Sequence, residues 1–368
     1  MTGPPAFQES CRKSVLPFPA FSISLFSRIL TVYNVSMLQQ LEFAESVRRQ
    51  IVPRIAKGRK SEFGQFMTPS NIARFMASLF PASPLKTCRL LDAGAGVGAL
   101  SCAFLDRWTK GGFQFQEVQA FAYEIDDKLR GYLTDHFAAY DGVTAHISAE
   151  DFISSSNQVL FHSPTEYTHA ILNPPYKKIN SNSAHRHELR ALGIETVNLY
   201  SAFVALAVLQ AADGGQIVAI IPRSFCNGPY YRPFREFILQ RAALRHMHLF
   251  DSRTTAFKDD EVLQENIIIR LERGGIQGPV TITTSTDDTL SDFETNVYPF
   301  DQIVFPDDAE GFIHVPMASR CSSLELVKKA RFAPADLGFG VPNDPVVDLS
   351  AQKLRCSRWP QNMMLQVG

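Results

Sequence analysis

The sequence predicts a Rossmann-like α/β protein with a seven-stranded, mostly parallel sheet and helices on both faces. From residue 88 onward, short apolar runs alternate with helical patterns, and most runs are about 20 to 40 residues apart, the room that a crossover helix needs. A glycine-rich turn follows the first run. The chain has 368 residues, of which 45% are hydrophobic, and this composition excludes global disorder.

The predicted elements follow in chain order. An amphipathic helix is expected from Met37, because apolar residues recur there at helical spacing. The last two strands are close in sequence, so an antiparallel pair is expected at that edge of the sheet. The predicted strands are 89–92, 119–124, 144–147, 169–172, 216–221, 245–250 and 267–271.

Three parts are expected along the chain. Residues 1–36 are predicted to be a non-native or disordered extension; a secretory signal is disfavoured because Pro17 and Pro19 interrupt the apolar run. Residues 37–275 are predicted to form the main α/β domain. Residues 276–368 are richer in Thr, Ser, Asp and Pro, which predicts a separate, smaller region.

Charge and cysteine content exclude several classes. The formal net charge of −1 gives no sign of whole-molecule nucleic-acid binding, although a local basic cleft is compatible with it. The six cysteines form no CxxC pair, so no metal and no disulfide scaffold are predicted, and the protein is expected to be cytoplasmic. The apolar stretch 203–212 is too short to cross a bilayer, so no membrane partner is expected.

The first motif reads Asp-Ala-Gly-Ala-Gly-Val-Gly over residues 92–98, directly after an apolar strand and before a helix. Glycines permit a tight turn and a close approach of ligand to backbone, and a helix N-terminus offers unpaired amides. With Ala99 the motif also fits the dinucleotide pattern G-x-G-x-x-A, so a nicotinamide enzyme and a purely structural turn remain alternatives.

Acidic residues follow the next two strands. Glu124, followed by Ile125, ends the second strand, where a carboxylate can accept hydrogen bonds from both ribose hydroxyls of an adenosine. Asp151 and Phe152 follow the third strand, where the carboxylate can accept an adenine amino group and the ring can stack on the base. A solvated strand-end acid, or a helix cap beside a core phenylalanine, are the alternatives.

Asn173-Pro174-Pro175-Tyr176 follows the fourth strand and is the most specific motif. The prolines fix the backbone and remove two donors, which leaves the Pro174 carbonyl as an acceptor beside the Asn173 side-chain oxygen. Two acceptors next to an aromatic face suit a planar NH2 group attached to a ring. In an open α/β sheet, ligands bind at the carboxyl ends of the strands, where this motif lies.

Together these motifs resemble the S-adenosylmethionine-dependent N6-adenine DNA methyltransferases of restriction-modification systems, in the gamma arrangement. The resemblance spans about residues 39 to 274 and includes Gly-Gln-Phe-Met-Thr-Pro at 64–69. It implies catalytic roles for Asn173, Pro174, Pro175 and Tyr176, and target-base stacking by Tyr176 and Phe257. The cofactor contacts it implies are Thr68, Pro69, Asp92, Ala93, Gly94, Ala95, Gly96, Gly98, Glu124, Ile125, Asp151, Phe152 and Asn173.

The resemblance also implies double-stranded DNA as partner, with a separate restriction endonuclease or specificity subunit, and no metal. Region 276–368 then corresponds to a partial target recognition domain. The basic residues just after the catalytic motif are the predicted contacts to the DNA backbone; they are Lys177, Lys178, Arg186 and Arg190.

Other substrates and classes stay open at this point. Asn-Pro-Pro-Tyr also serves amide and other amino groups, so RNA, protein glutamine and cytosine N4 are alternative methyl acceptors. A catalytically inactive DNA-binding remnant is an alternative of a different class. No endonuclease constellation is found, so DNA cleavage would require a separate protein.

Overall fold

The computed structural model describes residues 40–51, 67–162, 166–250 and 266–315. The predicted extension 1–36, all residues after 315, and Phe257 lie outside the described residues. Two helices precede the sheet, α1 (Gln40–Ile51) and α2 (Ser70–Ser78). The helix predicted from Met37 corresponds to α1, of which the residues from Gln40 onward are described.

A regular alternation of strands and helices follows. Each crossover contains one helix, except that two helices separate the fourth strand from the fifth. The elements are β1 (Thr87–Ala93), α3 (Ala99–Arg107), β2 (Glu117–Tyr123), α4 (Asp127–Ala138), β3 (Val143–Ser148), α5 (Phe152–His162), β4 (Tyr167–Leu172), α6 (Ala184–Ala191), α7 (Leu199–Gln210) and β5 (Ala211–Pro222).

The remaining described residues are mostly strands. The elements are α8 (Arg232–Arg241), β6 (Ala242–Phe250), β7 (Asn266–Arg273), β8 (Val280–Ser285), β9 (Glu294–Tyr298) and the one-turn helix α9 (Phe300–Ile303). All seven predicted strands are present, but the sheet has nine strands, so the predicted count is wrong. Residues 280–285 form β8, which pairs with β6 and β9 in the same sheet.

The strand order is β3-β2-β1-β4-β5-β7-β6-β8-β9. The first five strands are parallel, β7 pairs antiparallel with both β5 and β6, and β8 runs parallel to β6. The predicted antiparallel pair is confirmed as β6 and β7, but it lies inside the sheet, because β8 and β9 extend beyond it. The boundary predicted near residue 275 falls between two strands of this one sheet.

Helices cover both faces of the sheet, as the sequence predicts, and each face has its own hydrophobic core. On one face, α7 contributes most: its residues are apolar all round, and ten of its twelve are buried. On the other face, helices α1 to α4 pack over β1, β2 and β4. The central strands are therefore buried on both sides, which explains their continuous apolar runs.

The order in which successive strands are added to the sheet changes side at β1. From β1 the strands run outward through β2 to β3, and the chain then returns to place β4 on the other side of β1. Such a switch point opens a crevice at the carboxyl ends of the strands. The loops after β1, β2, β3 and β4 all lie at this edge, and they contain the predicted motifs.

Candidate functional site

The glycine-rich loop after β1 is held by backbone hydrogen bonds. The amides of Gly94 and Ala95 both donate to the carbonyl of Tyr123 at the end of β2, at 2.9 and 3.0 Å. A Cβ on Gly94 would lie 3.7 Å from Pro175 Cδ and 3.9 Å from the Asn173 carbonyl oxygen. The loop therefore packs directly against the Asn-Pro-Pro-Tyr segment after β4.

The glycines of this loop also need backbone angles that other residues avoid. Gly94, Gly96 and Gly98 have φ values of +79°, +57° and +85°. A Cβ on Gly96 would meet no described atom within 4 Å, so the backbone here faces open space. The loop thus presents bare backbone to the crevice, as a closely approaching ligand requires.

Glu124 joins this loop to the end of β2. Its carboxylate accepts hydrogen bonds from the Gly96 and Asp126 amides, both at 2.8 Å, and the residue is 4% exposed. Burial raises the pKa of Glu124 above its ordinary value, although these two amides oppose the shift. The carboxylate is therefore fixed in position at the wall of the crevice.

Asp92 lies beneath the loop, where it is 1% exposed. Its Oδ2 accepts a 2.6 Å hydrogen bond from the Ser101 hydroxyl of α3, while Oδ1 has no partner among the described residues. Burial raises the pKa of Asp92 to about 7. The hydrogen bond between Asp92 and Ser101 thus links the end of β1 to α3 and stabilises the loop between them.

The predicted catalytic segment after β4, Asn173 to Tyr176, is fixed by side chains on both sides. Asn173 Nδ2 donates to the buried Thr68 hydroxyl at 2.9 Å, and the Tyr176 hydroxyl lies 3.1 Å from Asn173 Oδ1 and 3.3 Å from the Ile220 carbonyl. Burial raises the pKa of the Tyr176 phenol, so it is a neutral donor. Thr68 therefore orients the amide from the side of α2, and Tyr176 from the side of β5.

Asp151 caps α5 and pairs with a histidine that the sequence analysis missed. Its Oδ1 accepts the Ile153 and Ser154 amides at 2.9 and 3.1 Å and lies 3.2 Å from His185 Nε2. Burial raises the pKa of Asp151, but the hydrogen bonds from His185 and the amides outweigh it, so the pKa lies below its usual range. The bond to Asp151 raises the pKa of His185.

Phe152 forms part of the crevice wall. It is 2% exposed, and its ring centroid lies 5.0 Å from that of Tyr123 and 5.1 Å from that of Phe203 on α7. The ring is thus packed from two sides and borders the crevice without projecting into it.

The crevice encloses a cavity of about 280 Å³, close to the lower end of the range for small-molecule sites. Ten predicted cofactor or catalytic residues line it: Thr68, Gly94, Ala95, Gly96, Glu124, Ile125, Asp151, Phe152, Asn173 and Pro175. Six others lie next to it without lining it: Pro69, Asp92, Ala93, Gly98, Pro174 and Tyr176.

Several lining residues were not singled out from the sequence. His185 on α6 and Phe203 on α7 come from helices distant in the chain, so only the fold brings them to the cavity. Met67 lies within the quoted motif at 64–69, and that motif was the available signal. Among the described residues, no three His, Cys, Asp or Glu side chains form a metal site.

The predicted DNA-backbone contacts divide into two pairs. Lys177 and Lys178 are exposed beside the catalytic segment. Arg186, in contrast, is 7% exposed, and both Arg186 and Arg190 form ion pairs with Glu195. The Arg186 guanidinium is thus buried against this carboxylate and Arg190 shares it, so both arginines have an acidic partner within the chain, and their contact with DNA stays a prediction.

Comparison with known proteins agrees with this arrangement. Residues 113–257 match the Eco57I restriction-modification methylase family. The chain is 46% identical to the type II methyltransferase M.BsuBI of Bacillus subtilis over 86% of its length, and 38% identical to M.PstI of Providencia stuartii over 84%. It spans 64% and 63% of the lengths of these two relatives.

A solved structure shows the same fold. It is a modification subunit of a putative type I restriction enzyme from Vibrio vulnificus, with a TM-score of 0.57 at 12% sequence identity, over 75% of this chain and 62% of that one. Together with the matched relatives, this finding confirms the resemblance to methyltransferases of restriction-modification systems. Residues 113–257 are therefore similar to the Eco57I restriction-modification methylase family, and the chain shares its fold with that modification subunit.

Proposed function

We propose that this protein is a site-specific DNA methyltransferase of a restriction-modification system, which methylates the N6 amino group of adenine with S-adenosylmethionine. One observation carries the proposal: the Asn173 amide lies at the wall of the cavity and is held there by Thr68 and Tyr176. The matches to type II methyltransferases support the general reaction, since they cover most of the chain.

The cavity fits the proposed cofactor. The bare backbone at Gly96 leaves room for a closely bound ligand, the Glu124 carboxylate is placed to accept ribose hydroxyls, and Asp151 lies at the same wall for the adenine amino group. Apolar side chains, including Ile125 and Phe152, flank the space for the base. When bound, the sulfonium cofactor supplies an electrophilic methyl group.

The catalytic segment would act on the methyl acceptor. The amino nitrogen of adenine is a poor nucleophile, because its lone pair is delocalised into the ring. Asn173 Oδ1 and the Pro174 carbonyl would each accept one of its N–H groups, which localises the lone pair and stabilises the positive charge that develops on nitrogen. Because the amide is already oriented, little reorganisation would accompany the reaction.

The target adenine would have to leave the duplex to reach this segment, at a cost of a few kcal/mol. Stacking on Tyr176 would offset part of this, since stacking on an aromatic side chain contributes about 1–3 kcal/mol per base. Region 276–368 is proposed to contribute to target recognition, and a separate endonuclease to carry out cleavage. Such a system would operate in the cytoplasm, where the cell's DNA lies.

Methyl transfer to DNA tests the proposal. The full chain is incubated with S-adenosylmethionine and unmethylated genomic DNA, the DNA is digested, and methylated nucleosides are quantified by mass spectrometry. Asn173→Ala should lower N6-methyladenine formation by about 10²–10³-fold or more, the usual effect of losing one transition-state hydrogen bond. Asn180→Ala is the matched control, because Asn180 is exposed and only its main-chain carbonyl accepts hydrogen bonds from Ser183.

Each contrary result has a distinct meaning. N4-methylcytosine in place of N6-methyladenine would mean that the methyl acceptor is cytosine and that the methyl-transfer reaction itself is as proposed. Cofactor binding by calorimetry without any methylated base would argue for another acceptor or for an inactive remnant. Absence of cofactor binding would contradict the methyltransferase proposal for this chain.

A further inference from the structure

The turn between β5 and α8, residues 223–231, lies beside the catalytic segment. Strands β4 and β5 are adjacent and parallel, with Leu172 paired to Ala219, so the segments that follow them leave the sheet at the same edge. The hydrogen bond from the Tyr176 hydroxyl to the Ile220 carbonyl, 3.3 Å long, joins the catalytic segment to the end of β5, three residues before the turn begins.

The turn is on the side of the catalytic segment away from the cofactor cavity. In the sheet, β4 lies between β1 and β5, and the cavity is formed by the loops after β1, β2, β3 and β4. None of residues 223–231 lines the cavity. The cofactor would approach Asn173 from the β1 side, which leaves the β5 side for the methyl acceptor.

A row of tyrosines connects the catalytic segment to this turn. The ring centroids of Tyr176 and Tyr200 are 6.2 Å apart, and those of Tyr200 and Tyr231 are 5.7 Å apart. The Asn198 side chain donates to the Tyr231 hydroxyl. Tyr231 therefore packs inward, whereas its neighbour Tyr230 is 76% exposed to solvent, unusually exposed for so large an aromatic side chain.

The turn is rigid because a buried arginine holds it. Arg235 on α8 is fully buried and donates to the carbonyls of Phe225 and Gly228, at 2.9 and 2.8 Å, and to the Glu310 carbonyl at 2.7 Å. Gly228 is required there, because a Cβ would lie 2.6 Å from the Ser224 carbonyl oxygen. A rigid support lowers the entropy lost when an exposed ring binds a partner.

Positive charge lies next to the same surface. Lys177 and Lys178 are exposed, and the Lys178 backbone pairs with Asn198, whose side chain contacts Tyr231. Exposed aromatic rings beside lysines are the combination that binds unstacked nucleic-acid bases, because the rings stack on bases and the ammonium groups follow the phosphates.

We propose that Tyr230 is a DNA contact that stacks on an unstacked base beside the target adenine. This inference rests on the proposed function, and it assigns a role that neither the catalytic motif nor the cofactor cavity requires. Tyr176 would contact the extruded base itself, and Tyr230 would stack on a neighbouring base that the extrusion leaves unstacked.

The test compares three full-length variants for binding to short, fluorescein-labelled fragments of unmethylated genomic DNA, measured by fluorescence anisotropy. Tyr230→Ala should weaken binding by about tenfold, within the range for loss of one stacked base. Tyr230→Phe keeps the ring and should retain the parent affinity. Ile276→Ala is the control: Ile276 is 87% exposed, and it follows β7, whose antiparallel direction places it at the opposite edge of the sheet.

Thermal unfolding and the affinity for S-adenosylmethionine should be unchanged in all three variants, which separates a contact from a structural role. Tyr230→Ala binding as tightly as the parent, or Tyr230→Phe losing as much as Tyr230→Ala, would overturn the inference. So would a parent protein that does not bind these fragments. The methylation assay on the parent tests the proposed function separately, since weakened binding in Tyr230→Ala would support the contact even if no methylated base formed.

Discussion

The two ends of the sheet are held together in different ways. On the cofactor side, from β1 to β4, the critical contacts are made by backbone: positive-φ glycines and amides that donate to the Tyr123 carbonyl and to Glu124. In the extension formed by α8, β6 to β9 and the chain to residue 315, the corresponding contacts are made by buried polar side chains.

The side chains of the extension form two groups. Arg235 ties the turn after β5 to the Glu310 carbonyl. His248 is fully buried on β6, with Nδ1 2.9 Å from the Thr283 hydroxyl and Nε2 3.2 Å from the Ser285 hydroxyl, both on β8. The same Thr283 hydroxyl lies 2.8 Å from His246 Nε2.

The difference follows from what each region must leave open. A ligand that approached the backbone would compete with side chains for the same space, and the loop after β1 consists of small residues apart from Val97. The extension does not line the cavity, so arginine and histidine can fill its interior and satisfy their own hydrogen bonds. Substitutions should therefore damage the two regions through different mechanisms and by different amounts.

The largest expected effect is the loss of the buried arginine. Arg235→Met would remove the donor to the Phe225 and Glu310 carbonyls and one of two donors to the Gly228 carbonyl, which keeps the Tyr231 amide. At about 1–3 kcal/mol for each buried unsatisfied group, we expect a loss of roughly 3–5 kcal/mol of unfolding free energy. Urea denaturation measures it. Arg232→Met on the same helix is the control, because its ion pair with Glu236 is exposed and should contribute nothing measurable. Equal effects of the two substitutions would contradict the role assigned to Arg235.

The next effect is acid sensitivity of the extension. Burial lowers the pKa of His246 to about 4 and that of His248 to about 3, so both are neutral when folded and take up a proton on unfolding below pH 6.5 or so. The contribution of the two neutral histidines to the unfolding free energy is complete above that pH. It is lost as the pH falls toward their pKa values in the folded protein, by up to about 1.4 kcal/mol per pH unit for each histidine.

The double variant His246→Gln/His248→Gln should therefore show a shallower pH dependence of unfolding free energy between pH 6.5 and 4.5, by about 2–3 kcal/mol per pH unit at most. Urea titrations across this interval measure the slope, which is independent of any overall change in stability. Asp92 on the cofactor side acts in the opposite sense: its pKa is raised to about 7, so its contribution falls as the pH rises toward 7. A slope in the double variant equal to that of the parent would show that the two histidines do not cause the pH dependence of the unfolding free energy.

The smallest effect is on a glycine of the cofactor side. Gly98→Ala places an alanine at φ +85° with its Cβ 2.8 Å from Leu133 Cδ2, so we expect a loss of about 1–2 kcal/mol of unfolding free energy. Gly131→Ala is the matched control, because Gly131 lies inside helix α4 with open space around it, and the substitution should stabilise by about 0.5–1 kcal/mol. Stabilisation by Gly98→Ala would show that the loop does not require this backbone conformation.

Much of the fold was predictable because its signals are local. Apolar runs of strand length and crossover-sized spacings identify all seven predicted strands, and the glycine motif identifies the turn after β1. Strand β8 and the edge strand β9 were missed as members of the sheet, because β9 is exposed along most of its length and carries no apolar run. Their pairing depends on which strand edge is left open, and that is a property of the assembled sheet.

The site was predictable to a similar extent. Chain order places the loops after β1 to β4 at one edge, and ten of the predicted cofactor and catalytic residues line one cavity there. The contact of buried Asp92 with Ser101 and the ion pair of Arg186 with Glu195 could not be predicted, although each joins residues only nine positions apart, since both depend on how the chain turns between the two partners.

The sequence by itself determined the fold class, the order of the motifs and the chemistry of the Asn-Pro-Pro-Tyr segment, because each depends on residues that are neighbours in the chain. Only the tertiary structure decided how Asn173 is oriented, which charges remain exposed, and that Tyr230 stands out beside the catalytic segment. These features arise where distant segments meet, and the free energy of burial and of hydrogen bonding there is set by the partners that the fold supplies.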